Sequence, residues 1–220
     1  MNIDKSWRKS GAKAALEHAK KMSSSLSDVT VLDLACGTGD LSITLAKKGL
    51  SVVGADISEG MLEVGRKKID ALWQKKMAKY PKPVLQKGDG ARLPYEDGCF
   101  DIVTIGYGIR NFDDRPQSLR EILRVLAPGG ALLILEFGEP RIAFMRWFYK
   151  PYFKQVIPGM ASALTKGKDK AAYTYFIKSV ENFPKFEMFC KELTDAGFRD
   201  VGYRIQSGGI SVLYKALKAK

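Results

Sequence analysis

Histidine and cysteine are scarce in this 220-residue chain, and their scarcity narrows the chemistry available to it. The single histidine, His18, stands in a polar helical segment far from every other motif, which predicts a solvated surface side chain and not a base. Cys36, Cys99 and Cys190 are odd in number and show no CxxC or Cys/His spacing. They read as reduced thiols, neither staples nor zinc ligands, and no metal site is expected. Long apolar runs are missing as well. The stretch Ala131–Leu135 falls far short of the roughly 20 residues that span a bilayer. The polar, basic N-terminus has no signal-peptide core. The expected location is the cytoplasm, with any membrane contact peripheral and on the inner face.

What is plentiful is positive charge. Lys and Arg number 36 against 24 Asp and Glu, a formal charge of +12. That excess favours an anionic partner, nucleic acid or acidic lipid head groups, unless it serves only solubility. With 45% hydrophobic residues the chain can bury one substantial core, so residues 1–220 are expected to form one domain. There is no internal repeat, and Ser23–Ser27 is the only low-complexity stretch.

After an opening helix rich in Ala and Lys, strand and helix signals alternate. Val29–Ala35, Ser51–Asp56, Val84–Gly88, Asp101–Tyr107 and Ala131–Phe137 read as strands. Helices are predicted over Asp40–Lys48, after the capping Ser58, and after Asp113–Asp114, with Pro128-Gly129-Gly130 ending the last of these. This alternation means a parallel sheet with helices on both faces. Residues 141–184 look like a helical insertion over the substrate side, containing a helix over Lys168–Phe183. A helix over Phe186–Ala196 follows, and Val201–Gln206 and Gly209–Leu217 close the chain as an antiparallel hairpin. Seven strands, mostly parallel and finished by a hairpin, define the Rossmann-like α/β fold of class I methyltransferases.

The strongest local motif is Val31-Leu-Asp-Leu-Ala-Cys-Gly-Thr-Gly-Asp40. Gly37 and Gly39 let backbone approach a ligand at the mouth of the first strand. A bare GxG also opens nicotinamide and flavin fingerprints, but two details argue otherwise. Ser42 stands where their third glycine belongs, and an acid, Asp33, lies within the strand. S-adenosylmethionine has no pyrophosphate to seat on a helix N-terminus and carries a sulfonium and an ammonium, which carboxylates favour. Asp33 suits the amino-acid end, directly or through water, and Thr38 can donate to its carboxylate. Asp56 is placed to accept both ribose hydroxyls, Asp89 to accept from the adenine amine, and Met61 to cover the ring. Each acid alone is also explained as a cap or turn aspartate. Their clustering at the carboxyl ends of successive strands favours the cofactor.

From Val31 to Gly138 the chain resembles the UbiE/COQ5 family, the demethylmenaquinone and 2-polyprenyl-benzoquinol C-methyltransferases. The matching segments are Leu32–Asp40, Ala55–Ser58 with Met61-Leu62, Gly108-Ile-Arg-Asn-Phe112 and Arg124–Phe137. Tyr152-Phe153, Pro158, Tyr173–Phe176, Ser179 and Phe183-Pro184 extend the likeness to about nine-tenths of the chain. Asp4–Arg8 resembles only the tail of the family's opening motif, so the natural reading frame is expected to start further upstream. Gly90 replaces a common alanine, and Gly106 a common serine, which leaves backbone contacts to the cofactor but removes one side-chain contact.

The resemblance implies methyl transfer to a ring carbon of a polyprenylated quinol in menaquinone or ubiquinone biosynthesis. Arg110 then meets the developing phenolate as an electrostatic partner, since guanidinium stays protonated and cannot act as an ordinary base. The alternative for Arg110 is a structural ion pair with Asp113 or Asp114. Proton removal falls to a water held by Asp40 or Asn111, or to Tyr107 as a relay. Arg146, Lys150 and Lys154, beside Phe144, Trp147, Phe148, Tyr152 and Phe153, make a basic and aromatic helical face suited to an anionic membrane surface or to a pocket roof. Nucleic acid is not the expected substrate. The position after strand four holds no Asn/Asp-Pro-Pro-aromatic turn, and no cysteine follows a proline. A catalytically silent binding protein is a further alternative, and a homodimer is compatible with the sequence.

Overall fold

The computed structural model describes residues 3–140 and 170–220, so the basic and aromatic segment from Phe144 to Lys154, and most of the expected insertion, lie outside the described residues. Seven strands form one sheet in the order β3-β2-β1-β4-β5-β7-β6. They are β1 (Thr30–Leu34), β2 (Ser51–Asp56), β3 (Val84–Lys87), β4 (Phe100–Gly106), β5 (Leu126–Phe137), β6 (Arg199–Gln206) and β7 (Ser211–Leu217). The first five run parallel, and β7 enters antiparallel between β5 and β6. The expected hairpin is there, turned by Ser207–Gly209 with Gly208 at φ +67°.

The helices are α1 (Ile3–Met22), α2 (Asp40–Ala46), α3 (Glu59–Leu72), α4 (Arg115–Val125), α5 (Lys170–Asn182) and α6 (Glu187–Asp195). Side chains alternate across each strand, and the two faces build two cores. Leu32, Leu34, Val103, Ile105, Leu132 and Ile134 pack with residues of α4 and α6. Val31, Ile102 and Leu133 face the small residues of α1 and the apolar stripes of α2 and α3. The same alternation sends Asp33 and Thr104 to the α2 face, where Ser42 waits. Among the described residues, no helix is long and apolar enough to cross a membrane.

Two expectations are corrected. β5 begins at Leu126, not Ala131, because Pro128-Gly129-Gly130 forms an irregularity within the strand: Phe100 pairs with Leu126 and Ile102 with Ala131. Gly129, at φ +77°, allows the chain to turn there without leaving the ladder. His18 is buried at 5% exposure, not solvated. Lying three residues after Ala15 and seven after Gly11, it falls on the inward stripe of α1. Desolvation and nearby Lys215 lower its pKa.

Candidate active site

A cleft of about 990 Å³ opens at the carboxyl ends of β1, β2 and β4, where the strand order reverses. That switch point is where open α/β sheets accept ligands, because the loops from neighbouring strands diverge to opposite faces. The loop after β1 is held in a tight, left-handed path. Ala35 lies at φ +55°, Gly37 at +55° and Gly39 at +76°, and the loop is tied sideways to β2 by Cys36 N–H on the Ala55 carbonyl at 3.1 Å. The loop after β4 repeats the strain, with Tyr107 at φ +62°. Two non-glycine residues in this region, each costing about 1 kcal/mol or more, sit on adjoining loops that line one cleft, as strained backbone often does at functional sites.

The acids occupy distinct stations. Asp56 Oδ2 accepts from Gly37 N–H at 2.8 Å, and Oδ1 accepts from Ser58 N–H at 2.9 Å. Each oxygen keeps lone-pair capacity for a further donor, so the carboxylate can grip the glycine loop and a ribose together. Asp89 is exposed. Its Oδ1 accepts from Ala91 N–H at 3.0 Å, and Oδ2 has no protein partner among the described residues. Met61 stands over the loop, with its terminal methyl 3.4 Å from where a Cβ on Gly37 would lie. Gly90 and Gly106 line the same cleft. A Cβ on Gly90 would come within 2.9 Å of the Phe112 ring, which accounts for the smallest residue there.

Asp33 is different. It is fully buried beneath the loop, accepting from Ser42 Oγ at 2.5 Å and Thr104 Oγ1 at 2.9 Å. Desolvation raises its pKa to about 6, against the pull of those two hydroxyls. Both oxygens are thus engaged by protein, and its influence on a ligand is that of a charge under the cleft floor. Thr38 and Asp40 are linked at the rim by Lys68, whose Nζ lies 2.9 Å from Thr38 Oγ1 and 3.1 Å from Asp40 Oδ1.

Arg110 follows β4 in a short 3-10 turn, its side chain 8% exposed. It does not pair with Asp113 or Asp114. Its Nη1 donates to Glu136 Oε1 at 2.9 Å and to the Tyr107 carbonyl, and its guanidinium lies 5.3 Å from the Phe137 ring centre and 4.9 Å from that of Phe176. Glu136 is wholly buried, and desolvation raises its pKa while Arg110 opposes that rise. Arg110 Nε and Glu136 Oε2 have no hydrogen-bond partner among the described residues. Such orphans cost about 1–3 kcal/mol each, an unusual expense for a pair that serves only the fold. Tyr107 donates to or accepts from Ser211 Oγ at 3.0 Å, and burial pushes its pKa up. Asn111 is exposed at the cleft mouth, with Tyr175 Oη 3.4 Å from its Oδ1.

Ser42, Thr104, Lys68, Glu136, Tyr175 and Phe176 belong to this region, although the sequence assigned none of them a role in the site. Strand alternation carried a signal for Thr104 against Asp33, its direct partner in register on the neighbouring strand. The pairing of Glu136 with Arg110 crosses 26 residues and left no local trace. Gly65 was missed as well. A Cβ there would meet the Thr38 carbonyl carbon at 3.1 Å and Leu85 at 2.5 Å, so α3 supplies the close approach to the loop that a third glycine would otherwise give.

The arrangement fits S-adenosylmethionine. Carboxylates gather around the cleft, as a cationic ligand favours, and Gly37 N–H is committed to Asp56 instead of to a pyrophosphate. Comparison with known proteins agrees. The profile of the ubiE/COQ5 methyltransferase family matches residues 1–218. The demethylmenaquinone methyltransferase of Chlorobaculum tepidum is 38% identical over 219 residues, covering 99% of this chain and 84% of that protein. The enzyme of the same name from Deinococcus radiodurans is 37% identical over 216 residues, covering 97% and 82%. Among solved structures, a SAM dependent methyltransferase from Aquifex aeolicus has a TM-score of 0.60 at 19% identity, covering 93% of this chain and 89% of that one, a likeness of fold. The chain therefore belongs to the ubiE/COQ5 methyltransferase family and is an S-adenosylmethionine-dependent methyltransferase.

Proposed function

We propose that the enzyme methylates a ring carbon of a polyprenylated quinol, with demethylmenaquinol as the substrate its relatives' names favour. The observation that carries this reading is Arg110, a nearly buried cation flanked by Phe137 and Phe176 on the wall of the same cleft as the acidic cofactor station. When bound, S-adenosylmethionine supplies an electrophilic methyl group on a positively charged sulfur. Asp56, Asp89 and Met61 hold the donor, and Asp33 complements its charge from below. The aromatic walls Phe112 and Phe176, the latter backed by Phe137, suit a flat ring. Arg110 stabilises negative charge on the ring oxygen as its proton leaves, which makes the neighbouring carbon nucleophilic. Asn111 and Asp40, exposed at the mouth, are the groups left to hold the water that takes that proton.

The reading extends to where the enzyme works. A polyprenylated ring resides in the bilayer, and the basic and aromatic sequence segment containing Arg146, Lys150 and Lys154 supports peripheral binding to anionic lipid, at about 1 kcal/mol per cation. Flotation with vesicles containing acidic lipid is expected to carry the enzyme upward at low salt, and failure to float removes this part. The chemistry is tested by incubating the enzyme with methyl-labelled donor and, separately, demethylated naphthoquinol and benzoquinol kept reduced. Label is expected in the naphthoquinol; label in neither ring contradicts the proposal.

A further inference from the structure

We infer that Glu136 is the positioning residue of this active site, fixing through a buried ion pair both the plane and the net charge of Arg110. The inference rests on the quinol reading above and deepens it.

Glu136 stands at the carboxyl end of β5, a central strand, wholly buried. Its Oε1 is pinned by the Phe137 N–H at 2.8 Å and by Arg110 Nη1 at 2.9 Å, so the carboxylate cannot swing away from the strand. The guanidinium it holds is also bonded to the Tyr107 carbonyl and lies beside the Phe137 and Phe176 rings. Arg110 therefore takes its direction from strand and loop backbone, not from solvent.

The charge matters as much as the direction. An unpaired, desolvated arginine binds any anion and stabilises a phenolate already in the ground state, which does not lower the barrier that follows. Paired with Glu136, the wall is close to neutral and admits an uncharged ring. The positive edge of the guanidinium then matters most as the oxygen loses its proton. A pair that served folding alone would close its own hydrogen bonds. Here one atom on each partner, Arg110 Nε and Glu136 Oε2, stays open among the described residues. Among the described residues, the other ionisable groups around this wall include Tyr107, Tyr214, Arg8 and Asp4, with Tyr175, Asp113 and Asp114 on the same cleft.

The test uses the intact enzyme with labelled S-adenosylmethionine and a short-chain demethylmenaquinol. Glu136→Gln is expected to lower kcat on the order of 10- to 100-fold while leaving donor affinity by calorimetry within about twofold. Loss of the negative charge eases ionisation of the ring hydroxyl, so the acid limb of the kcat–pH profile moves to lower pH. A merely structural role would leave that limb in place. The double variant Arg110→Gln/Glu136→Gln is expected to be no slower than Arg110→Gln alone, because Glu136 acts through Arg110. An unmoved limb, or losses that multiply in the double variant, overturns the inference. Should Glu136→Gln lose donor binding through misfolding, Glu136→Asp keeps the charge but draws Arg110 back by a methylene. It is expected to lose rate without moving the limb, and wild-type kcat in that variant overturns the inference too. Wild-type enzyme run alongside separates the two claims: its failure to methylate any quinol sinks the substrate reading, whereas full activity in the Glu136 variants sinks only this one.

Discussion

At the scale of single residues, Asp33 shows how far function and stability diverge. Its carboxyl is neutral in folded and unfolded chain alike below its ordinary value near 3.8 and costs nothing there. Between 3.8 and about 6 the unfolded chain ionises first, so stability falls as pH rises. Above that window the penalty is constant, on the order of 3 kcal/mol. Asn in its place keeps an acceptor and a donor for Ser42 and Thr104 and removes the buried charge. Asp33→Asn is thus expected to raise the thermal midpoint at pH 7 and to weaken donor binding by tenfold or more, read by calorimetry. A variant that is no more stable, or that binds the donor as before, contradicts this account. The sequence showed that an acid within a strand before a glycine loop is a charge seeking a cation. It did not show that two hydroxyls hold it below the floor, because Ser42 and Thr104 meet it only in the folded sheet. His18 misled for the related reason that a polar neighbourhood in sequence is not one in space; its helix turns it inward beside Ala15 and Ala19.

At the scale of elements, the site depends on two loops that nearly touch. A Cβ on Gly108 would fall 2.6 Å from the Cβ of Ala35, so the turn after β4 and the loop after β1 meet at a point only glycine leaves open. The resemblance singled out the Gly-Ile-Arg-Asn segment by its residues, and the physical reason for its first member is this contact. Gly108→Ala is expected to push the loops apart, weakening donor binding at least tenfold and lowering the thermal midpoint. Unchanged affinity would show that the lips move independently. Helix periodicity and caps were readable: Asp114 Oδ1 accepts from Gln117 N–H at 2.9 Å and Ser58 Oγ from Met61 N–H at 3.4 Å, both as their positions before apolar stripes foretell. The start of β5 was not, since Gly-Gly reads as a stop signal whether it ends an element or kinks one.

At the scale of the whole molecule, the mostly parallel sheet and its closing antiparallel hairpin were legible because alternating strands and helices admit few topologies. The gathering of the acids and glycines at one cleft was legible because they lie close to their strand ends. The substrate wall was not, because it joins β5, the turn after β4 and α5 across long sequence distances. One claim carries the rest: the acidic rim of the switch point is built for a positively charged nucleoside. Calorimetric titration of the enzyme at neutral pH with S-adenosylmethionine, and in parallel with a nicotinamide dinucleotide, tests it most directly. The account predicts one-site binding of the sulfonium compound and no heat from the dinucleotide. Binding of the dinucleotide, or silence from both, would contradict it.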